Sequence, residues 1–281
     1  MPVIRPPVMR PHVFLWSLLC FMPCLSASEA QGKTLLIAAT TSTENSGLMD
    51  FILPHFEEAY GLSVQLLVAG SGQVLEIGRR GDSDVLIVHD PEAERQFIRQ
   101  GHATLHIPFM TNDFIVVGPS SDPCRIKEHQ HIYHVFRQFH TGCGLFVSRG
   151  DHSGTHSREK ALWKGSGSMP MPHATHRWYI VSGSGMGATL NIATAQGAYT
   201  LTDRATWLNF ANKSTLTTLY QGENEEKSLL ENIYSVILPH IHRQEDNAHA
   251  ILFAQWLRSP EGKALIANYH IQGEQAFFPL P

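Results

Sequence analysis

A short turn that carries one arginine and several hydrogen-bond donors is the strongest chemical feature of this sequence. It contains Arg149 and Asp151 and ends in the triplet Ser153-Gly154-Thr155. The apolar residues 145–147 before it predict a short buried strand, and residues 156–163 after it predict a helix. A guanidinium, two hydroxyls and unpaired N–H groups at a helix start can together hold an oxyanion. The alternative is that Ser153 only caps the helix and that Arg149 lies on the surface.

Three further turns have the same form, since each follows a predicted strand, is rich in Ser, Thr or Gly, and precedes a predicted helix. They comprise residues 40–43, 70–72 and 183–189. In an open parallel sheet such turns collect at the carboxyl ends of the strands, where ligands bind. Each helix start adds a partial positive charge and free N–H donors. Ordinary capping would explain any one of the turns, but four together predict a cage for a small anion.

The elements that position these turns alternate regularly along the chain. Strand, short polar turn and helix follow one another three times between residues 35 and 100, which predicts a parallel α/β arrangement. Further strands are predicted at 112–117, 178–181, 198–201 and 234–238. Further helices are predicted at 127–139, from 189 to about 196, from 203 onward, at 247–258 and from 260 onward. With 281 residues, 43% of them hydrophobic, the chain can bury one large or two smaller cores.

The N-terminal 27 residues have the pattern of a cleaved secretory signal. Arg5 and Arg10 precede an apolar run over residues 13–25, the small residues Ser26-Ala27-Ser28 follow it, and no acidic residue interrupts. The apolar run is short for a permanent membrane anchor. We therefore expect a soluble, exported protein that is periplasmic in a double-membraned bacterium.

The net charge argues against polyanionic partners. Removing residues 1–27 takes away two arginines and no acid, so the formal charge moves from −4 to −6. A net-negative protein binds nucleic acids or anionic membranes poorly. An anion site in this chain must therefore be built from local dipoles and one or two cations.

Cys124 and Cys143 are the two cysteines of the expected mature chain, and the sequence leaves their pairing open. Export favours a disulfide. A helix over residues 127–139 opposes it, because about 13 residues at a rise of ~1.5 Å hold their ends roughly 20 Å apart. The Cα atoms of a bridge lie within about 7 Å of each other.

Two other classes of site have weaker support. Residues 183–188 match the dinucleotide fingerprint G-x-G-x-x-[GA], but the motif lies in the middle of the chain. The acid that would bind the ribose of a dinucleotide is expected ~20 residues after the motif, and the nearest acid at a strand end, Asp203, lies closer than that. Among the 17 histidines, His131/His134 and His240/His242 have ligand spacing, but no third or fourth ligand follows at a recognisable interval. We predict no metal site, no cofactor and no enzyme activity; the G-x-S-x-G elbow of hydrolases is also missing from the sequence.

The chain resembles the tungstate-binding periplasmic proteins of ABC transporters over essentially the whole expected mature length. The last two of the matching segments are the most specific, because no general folding rule requires them. The segments are 40–43 (Thr-Thr-Ser-Thr), 46–48 (Ser-Gly-Leu), 70–73 (Gly-Ser-Gly-Gln), 82–91 (Asp-Ser-Asp-Val-Leu-Ile-Val-His-Asp-Pro), 112–119 (Asn-Asp-Phe-Ile-Val-Val-Gly-Pro), 148–151 (Ser-Arg-Gly-Asp) with 153–155 (Ser-Gly-Thr), 185–191 (Gly-Met-Gly-Ala-Thr-Leu-Asn) and 197–204 (Gly-Ala-Tyr-Thr-Leu-Thr-Asp-Arg). The chain departs from the family at residues 232–235, where Asn-Ile-Tyr-Ser replaces the usual Asn-Pro-Tyr-Gly, and at the unusual loop 165–176.

The resemblance implies the two-lobed fold of periplasmic binding proteins, an α/β class in which each lobe is a mostly parallel sheet flanked by helices. The implied division is a signal peptide at 1–27, lobe I at 33–113 and 236–281, and lobe II at 114–235. The two lobes would close over the anion, which would stabilise the closed form. The predicted anion-binding residues are Thr40, Thr41, Ser42, Ser71, Gly72, Arg149, Ser153, Thr155, Gly187 and Ala188.

The family implies a monomer that captures tungstate and delivers it to the permease and ATPase subunits of an ABC importer. Molybdate is the second choice of anion and phosphate the third; an exported enzyme or sensor domain on the same fold is the alternative of a different class. Asp151 bears on this choice, because its spacing also resembles the turn of phosphate-binding proteins, where an acid accepts the proton of monohydrogen phosphate. A tungstate site requires Asp151 to turn away and to cap the helix or steady Arg149. The sequence leaves its direction open.

Overall fold

The computed structural model describes residues 34–170, 177–222, 226–240 and 247–281. Its strands are β1 (Thr34–Thr40), β2 (Ser63–Ala69), β3 (Val85–Val88), β4 (Ala103–Pro119), β5 (Phe146–Ser148), β6 (Tyr179–Val181), β7 (Thr200–Asp203), β8 (Leu216–Tyr220), β9 (Glu231–Pro239), β10 (His270–Ile271), β11 (Glu274–Gln275) and β12 (Phe278–Pro279). Its α-helices are α1 (Thr41–Asn45), α2 (Leu48–Tyr60), α3 (Ser71–Arg80), α4 (Pro91–Arg99), α5 (Ile132–His140), α6 (Gly154–Ser166), α7 (Met186–Gln196), α8 (Arg204–Asn209), α9 (Lys227–Leu230), α10 (Asn247–Leu257) and α11 (Pro260–Asn268). The predicted signal peptide lies outside the described residues.

The first half of the fold is built on a mixed β-sheet. Its strand order is β12-β4-β9-β3-β1-β2, in which β1 pairs in parallel with both β2 and β3. All four residues of β3, Val-Leu-Ile-Val, are buried, as expected for a parallel strand covered on both faces. The carboxyl ends of these parallel strands lead directly into α1, α3 and α4. The predicted parallel α/β arrangement is confirmed here.

Two long strands, β4 and β9, connect this sheet to the second half of the fold. β9 is antiparallel to β3 and β4, and the far end of β4 pairs with β7 and β8. The second half also contains the parallel pair β5–β6. We call the part built on β1–β3 with α1–α4, α10 and α11 lobe I, and the part built on β5–β8 with α5–α7 lobe II. The crossing strands therefore add antiparallel pairs to the predicted parallel ones.

Each lobe has its own hydrophobic core. In lobe I the buried aromatic rings of Phe56, Phe253 and Trp256 pack against one another, with ring centroids 5.0–6.0 Å apart. In lobe II the rings of Phe136 and Trp163 meet at a centroid distance of 4.5 Å and bind α5 to α6. The division at residues 113/114 and 235/236 stays a prediction, because the cores alone do not fix its position to the residue.

The connection between the two cysteines differs from the predicted one. The structure has a short 3-10 turn (Ile126–Glu128) and then α5, which begins only at Ile132. Asp122 accepts hydrogen bonds from the backbone of residues 126 and 127 and so bends the chain back. Cys124 and Cys143 consequently form a disulfide with a Cα separation of 5.2 Å. The geometric argument against the bridge was wrong because it assumed one continuous helix.

Several elements were not predicted, among them β8, α9 and the short C-terminal strands β10, β11 and β12. β8 is a strand, Leu-Thr-Thr-Leu-Tyr, that pairs with the end of β4, and α9 is a single helical turn before β9. Within the described residues no helix is both long enough and apolar enough to cross a membrane.

Candidate anion-binding site

Arg149 lies at the centre of the interface between the lobes, directly after β5. Only 1% of its surface is exposed. The Ser182 hydroxyl donates to the Arg149 carbonyl at 3.0 Å, which fixes the backbone on the β6 side. Gly150 follows with a φ of 62°, a left-handed conformation that costs glycine little. The predicted surface alternative for Arg149 does not hold, because a guanidinium this deeply buried needs built partners.

The guanidinium joins hydroxyls from both lobes. Arg149 Nη1 donates to Ser42 Oγ at 3.1 Å, from α1 of lobe I, and to Thr155 Oγ1 at 3.4 Å, from α6 of lobe II. All three side chains are buried. Because each hydroxyl accepts from the arginine, its own hydrogen stays available as a donor. One point between the lobes can therefore offer a cation and two O–H donors to the same anion.

Asp151 turns toward the arginine. Its Oδ2 accepts from Arg149 Nη2 at 2.5 Å and from Nε at 3.1 Å, and its Oδ1 accepts from the Ser153 backbone at 3.3 Å. Burial raises the pKa of Asp151, but the Arg149 guanidinium and the Ser153 hydrogen bonds outweigh burial, so the net pKa lies below its ordinary value. The carboxylate is therefore ionised at neutral pH and is used to steady the arginine.

Two helix starts from opposite lobes meet at this point. The Gly154 backbone N–H, at the start of α6, donates to Ser71 Oγ at 3.2 Å, at the start of α3. A Cβ atom at Gly154 would lie only 2.5 Å from the His89 carbonyl oxygen, so a side chain there would separate the helix from the end of β3. Glycine is thus required for the close approach of the lobes.

A second pair of helix starts lies close by. A Cβ atom at Gly185, the N-cap of α7, would lie 3.9 Å from Thr41 Oγ1, at the start of α1. Gly187 and Ala188 are in the first turn of α7, where backbone N–H groups have no acceptor within the helix. Four helix starts, from α1, α3, α6 and α7, therefore surround the interface with donors.

The remaining predicted residues have contacts of their own. The Thr40 hydroxyl pairs with the Thr43 hydroxyl at 3.0 Å, and Ser153 caps α6 by accepting from the His156 backbone at 3.2 Å. Gly72 lies in the first turn of α3 and is exposed. Direct contacts thus bring together Ser42, Arg149 and Thr155, and Ser71 is joined to them through the backbone of Gly154, next to Thr155. The others lie in the adjoining turns.

A buried polar network below the site was not predicted. His89 Nδ1 contacts Asn232 Oδ1 at 3.0 Å, Asn232 donates to Asn112 Oδ1 at 2.7 Å, and Asn112 donates to Asp203 Oδ1 at 3.3 Å. It links the ends of β3 and β7 to the crossing strands β9 and β4. Burial lowers the pKa of His89, with nearby Asp203 opposing, so the ring is neutral at pH 7. Asn112 within an apolar strand was the sequence signal, and Asn232 shows that the departing segment 232–235 belongs to this network.

A further contact between the lobes, from Asp90 to Ser157, was not predicted from the sequence. Asp90 caps α4 by accepting from the Ala93 backbone at 3.2 Å, and its other oxygen accepts from the Ser157 hydroxyl of α6 at 2.6 Å. The acid directly after a buried strand suggested a cap. Nothing in the sequence connected it to Ser157, which lies 67 residues further on.

In the part of the chain that the structure describes, few residues support a metal site or a dinucleotide site, the two alternatives considered from the sequence. There, no group of three or more His, Cys, Asp or Glu side chains could hold a metal ion. His131 Nδ1 lies 2.9 Å from Glu226 Oε1 and accepts from the Tyr133 backbone at 3.2 Å, so this nitrogen caps the start of α5. Asp203, the candidate ribose acid, accepts from the Thr206 backbone at 2.9 Å and caps α8. Its role is structural.

Comparison with known proteins agrees with this geometry. The family model described as the PBP superfamily domain matches residues 26–261. The tungstate-binding protein TupA of Peptoclostridium acidaminophilum is 36% identical over 246 residues, covering 86% of this chain and 83% of the relative. TupA of Campylobacter jejuni is 34% identical over 242 residues, covering 84% and 87%.

A solved structure shows that the likeness to tungstate-binding proteins extends to the fold. The tungstate ABC transporter protein of Geobacter sulfurreducens superimposes with a TM-score of 0.74 at 35% identity, covering 84% of this chain and 98% of that one. The fold and site therefore define a two-lobed solute-binding protein rather than an enzyme, as predicted. The chain belongs to the PBP superfamily and, within it, to the family that includes the TupA proteins.

Proposed function

We propose that this protein captures a tetrahedral oxyanion, tungstate in the first place, between its two lobes and delivers it to an ABC importer. The observation that carries the proposal is the buried Arg149, whose guanidinium bridges hydroxyls of Ser42 and Thr155 from opposite lobes. An anion bound there receives hydrogen bonds from a buried guanidinium and from donors of both lobes at once. It therefore binds the closed form best and stabilises it.

The donor set favours an anion without a proton. Hydroxyls, backbone N–H groups and the guanidinium donate hydrogen bonds, whereas monohydrogen phosphate also needs an acceptor for its own proton. Asp151, the candidate acceptor, already receives three hydrogen bonds from Arg149 and the Ser153 backbone. Tungstate and molybdate carry no proton near neutral pH and fit this set, and the relatives described above are named for tungstate.

Export to the periplasm and docking on a permease with its ATPase complete the proposal. The sequence pattern of residues 1–27 supports export. The relationship to a tungstate ABC transporter protein supports the importer as partner. A monomer is expected, since each chain contains both lobes of one site.

Calorimetry on residues 28–281 with tungstate, molybdate, sulfate and phosphate tests the choice of anion. We expect tight one-to-one binding of tungstate, weaker or equal binding of molybdate, and no heat from phosphate. Tight phosphate binding would make Asp151 a ligand and overturn the assignment. Absence of binding by all four anions would contradict the transport function itself.

A further inference from the structure

Glu159 is a buried carboxylate one helical turn beyond Thr155 that the binding site described above does not use. It lies in α6 with 1% of its surface exposed. Residues four apart share one face of a helix, so Glu159 lies directly behind the anion-facing Thr155. Among the described residues, no salt bridge of Glu159 with Lys, Arg or His lies within 4.0 Å. A buried acid without a contacting cation is costly and needs hydrogen-bond donors instead.

The two carboxylate oxygens of Glu159 contact different parts of lobe II. Oε1 accepts from Trp163 Nε1 at 3.0 Å and from the Tyr179 hydroxyl at 2.8 Å, both in the core. Oε2 accepts from the Ser148 hydroxyl at 2.8 Å. Oε1 therefore binds donors in the core, and Oε2 binds Ser148, the last residue of β5, which directly precedes Arg149.

From these contacts we propose that Glu159 is a positioning residue for anion capture, which fixes the Ser148–Arg149 backbone so that the Arg149 side chain reaches between the lobes. The inference rests on the proposed function. Arg149 is then held from three directions: Glu159 binds Ser148, the residue directly before it, Ser182 binds its carbonyl, and Asp151 binds its guanidinium. A pre-organised arginine loses less conformational freedom when the anion arrives.

Burial and hydrogen bonds have opposite effects on the pKa of Glu159. Burial raises its pKa to about 7, although the hydrogen bonds from Tyr179, Ser148, Trp163 and the Arg149 backbone all lower it. Tyr179 is the titratable group of β6 that faces it, and burial beside Glu159 raises the pKa of that phenol in turn. From α5, which packs against α6, the rings of Phe136 and Phe139 pack against Trp163, the residue whose Nε1 donates to Glu159.

The variant Glu159→Gln tests the proposal. Glutamine keeps the shape but has a single acceptor oxygen, so the donors at one end of the side chain lose their partner. We expect the Kd for tungstate to rise by about tenfold or more. Trp163→Phe is the matched control, because it removes a donor to the core oxygen and leaves the Ser148 contact. Its Kd should stay within about twofold of the unaltered protein, although its melting temperature falls.

A double-mutant cycle separates positioning from a general structural effect. If Glu159 acts through Arg149, then Glu159→Gln should change the Kd by less than about twofold in an Arg149→Ala background. The same tenfold factor in both backgrounds, or an unchanged Kd for Glu159→Gln alone, would overturn the proposal. Should Glu159→Gln fail to fold, Ser148→Ala removes the Oε2 contact with a smaller change and should raise the Kd severalfold; an unchanged Kd there counts against the role. Loss of tungstate binding by the unaltered protein would instead refute the proposed function.

Discussion

At the scale of single residues, the candidate site is one buried cation with two hydroxyls and one paired carboxylate around it. Arg149 contacts Ser42, Thr155 and Asp151, and each contact has a different consequence. The hydroxyls extend the positive potential toward the anion, whereas Asp151 limits the free charge and fixes the guanidinium plane. Since the whole protein is net negative, the attraction for an anion arises from this local group.

Replacement of Arg149 by alanine should weaken binding strongly. The cage would keep its hydroxyls and helix starts but lose the charge-assisted hydrogen bonds, which we expect to cost about 2 kcal/mol or more, or roughly 30-fold in Kd. Titration calorimetry with tungstate measures the change. Arg125→Ala, at an exposed position on the far loop of lobe II, provides a control for loss of one positive charge. An unchanged affinity for Arg149→Ala would remove Arg149 from the site.

Acid should destabilise the protein through His156. Burial, helped by Lys160, lowers the pKa of His156 from 6.5 to about 4, and the His152 backbone donates to its Nδ1 at 3.3 Å. Because the folded-state pKa is depressed, this contribution is complete above pH 6.5 and is lost as the pH falls toward 4. We expect His156→Gln to reduce that pH dependence by on the order of 1 kcal/mol, after solvent screening is taken into account.

Urea unfolding at pH 6.5, 5.5 and 4.5 measures the effect. The difference between the two proteins cancels the opposite contribution of Glu159, whose raised pKa favours the folded state as the pH falls from about 7. Parallel curves for the two proteins would show that His156 does not titrate in this range.

At the scale of elements, the site depends on helix starts that approach one another closely. The N-terminal turn of α6 lies against the end of β3 because Gly154 has no side chain. Ser71 accepts from the same turn and brings the start of α3 into contact. These contacts make the packing of α6 against lobe I a requirement for a complete cage.

The variant Gly154→Ala should therefore impair closure. Its Cβ would meet the rigid backbone of His89 at 2.5 Å, and we expect the affinity for tungstate to fall by about tenfold or more. Gly78→Ala is the matched control, since its Cβ would meet the Leu86 side chain at 2.5 Å inside lobe I. That variant should lose stability and keep its affinity. Equal affinities for both variants would show that Gly154 is not critical to closure.

The disulfide is an element-scale constraint on lobe II. It joins residues 19 positions apart and holds the bend before α5. Replacing both Cys124 and Cys143 by serine should lower the free energy of unfolding by about 3 kcal/mol, mainly by freeing the unfolded chain. Denaturant unfolding measures this change, and tungstate affinity of the folded protein should stay the same. A stability loss below about 1 kcal/mol would contradict the entropic estimate.

At the scale of the whole molecule, function depends on the two lobes coming together. Among the described residues, hydrogen bonds that join the lobes include those of Ser42 with Arg149, Ser71 with Gly154, and Asp90 with Ser157. The first two belong to the cage. The third lies outside it and can stabilise closure without selecting the anion.

Ser157→Ala should accordingly speed release of the anion. Loss of one hydrogen bond to a carboxylate is expected to cost about 1 kcal/mol in the closed form, which corresponds to a roughly fivefold faster dissociation. Stopped-flow displacement of tungstate by excess molybdate measures the rate. The ratio of tungstate to molybdate affinity should not change, because the contact between Asp90 and Ser157 lies outside the anion cage. A changed ratio would place Ser157 within the site.

The sequence by itself determined the local features of this protein. The strand-turn-helix repeats, with a helix starting at each of the four donor-rich turns, follow from periodicity and turn chemistry, which act over a few residues, and these elements were predicted correctly. Only the tertiary structure decided which turns meet. Ser42 and Arg149 are 107 positions apart, and no local rule brings them within 3.1 Å.

The same distinction explains the errors. The disulfide depended on a bend imposed by Asp122, and the network from His89 to Asp203 depended on the crossing of β4 and β9. The direction of Asp151 was open because a carboxylate can face an anion or an arginine with equal local geometry. Burial decides between them, since a buried guanidinium requires a partner and Asp151 is the acid within reach.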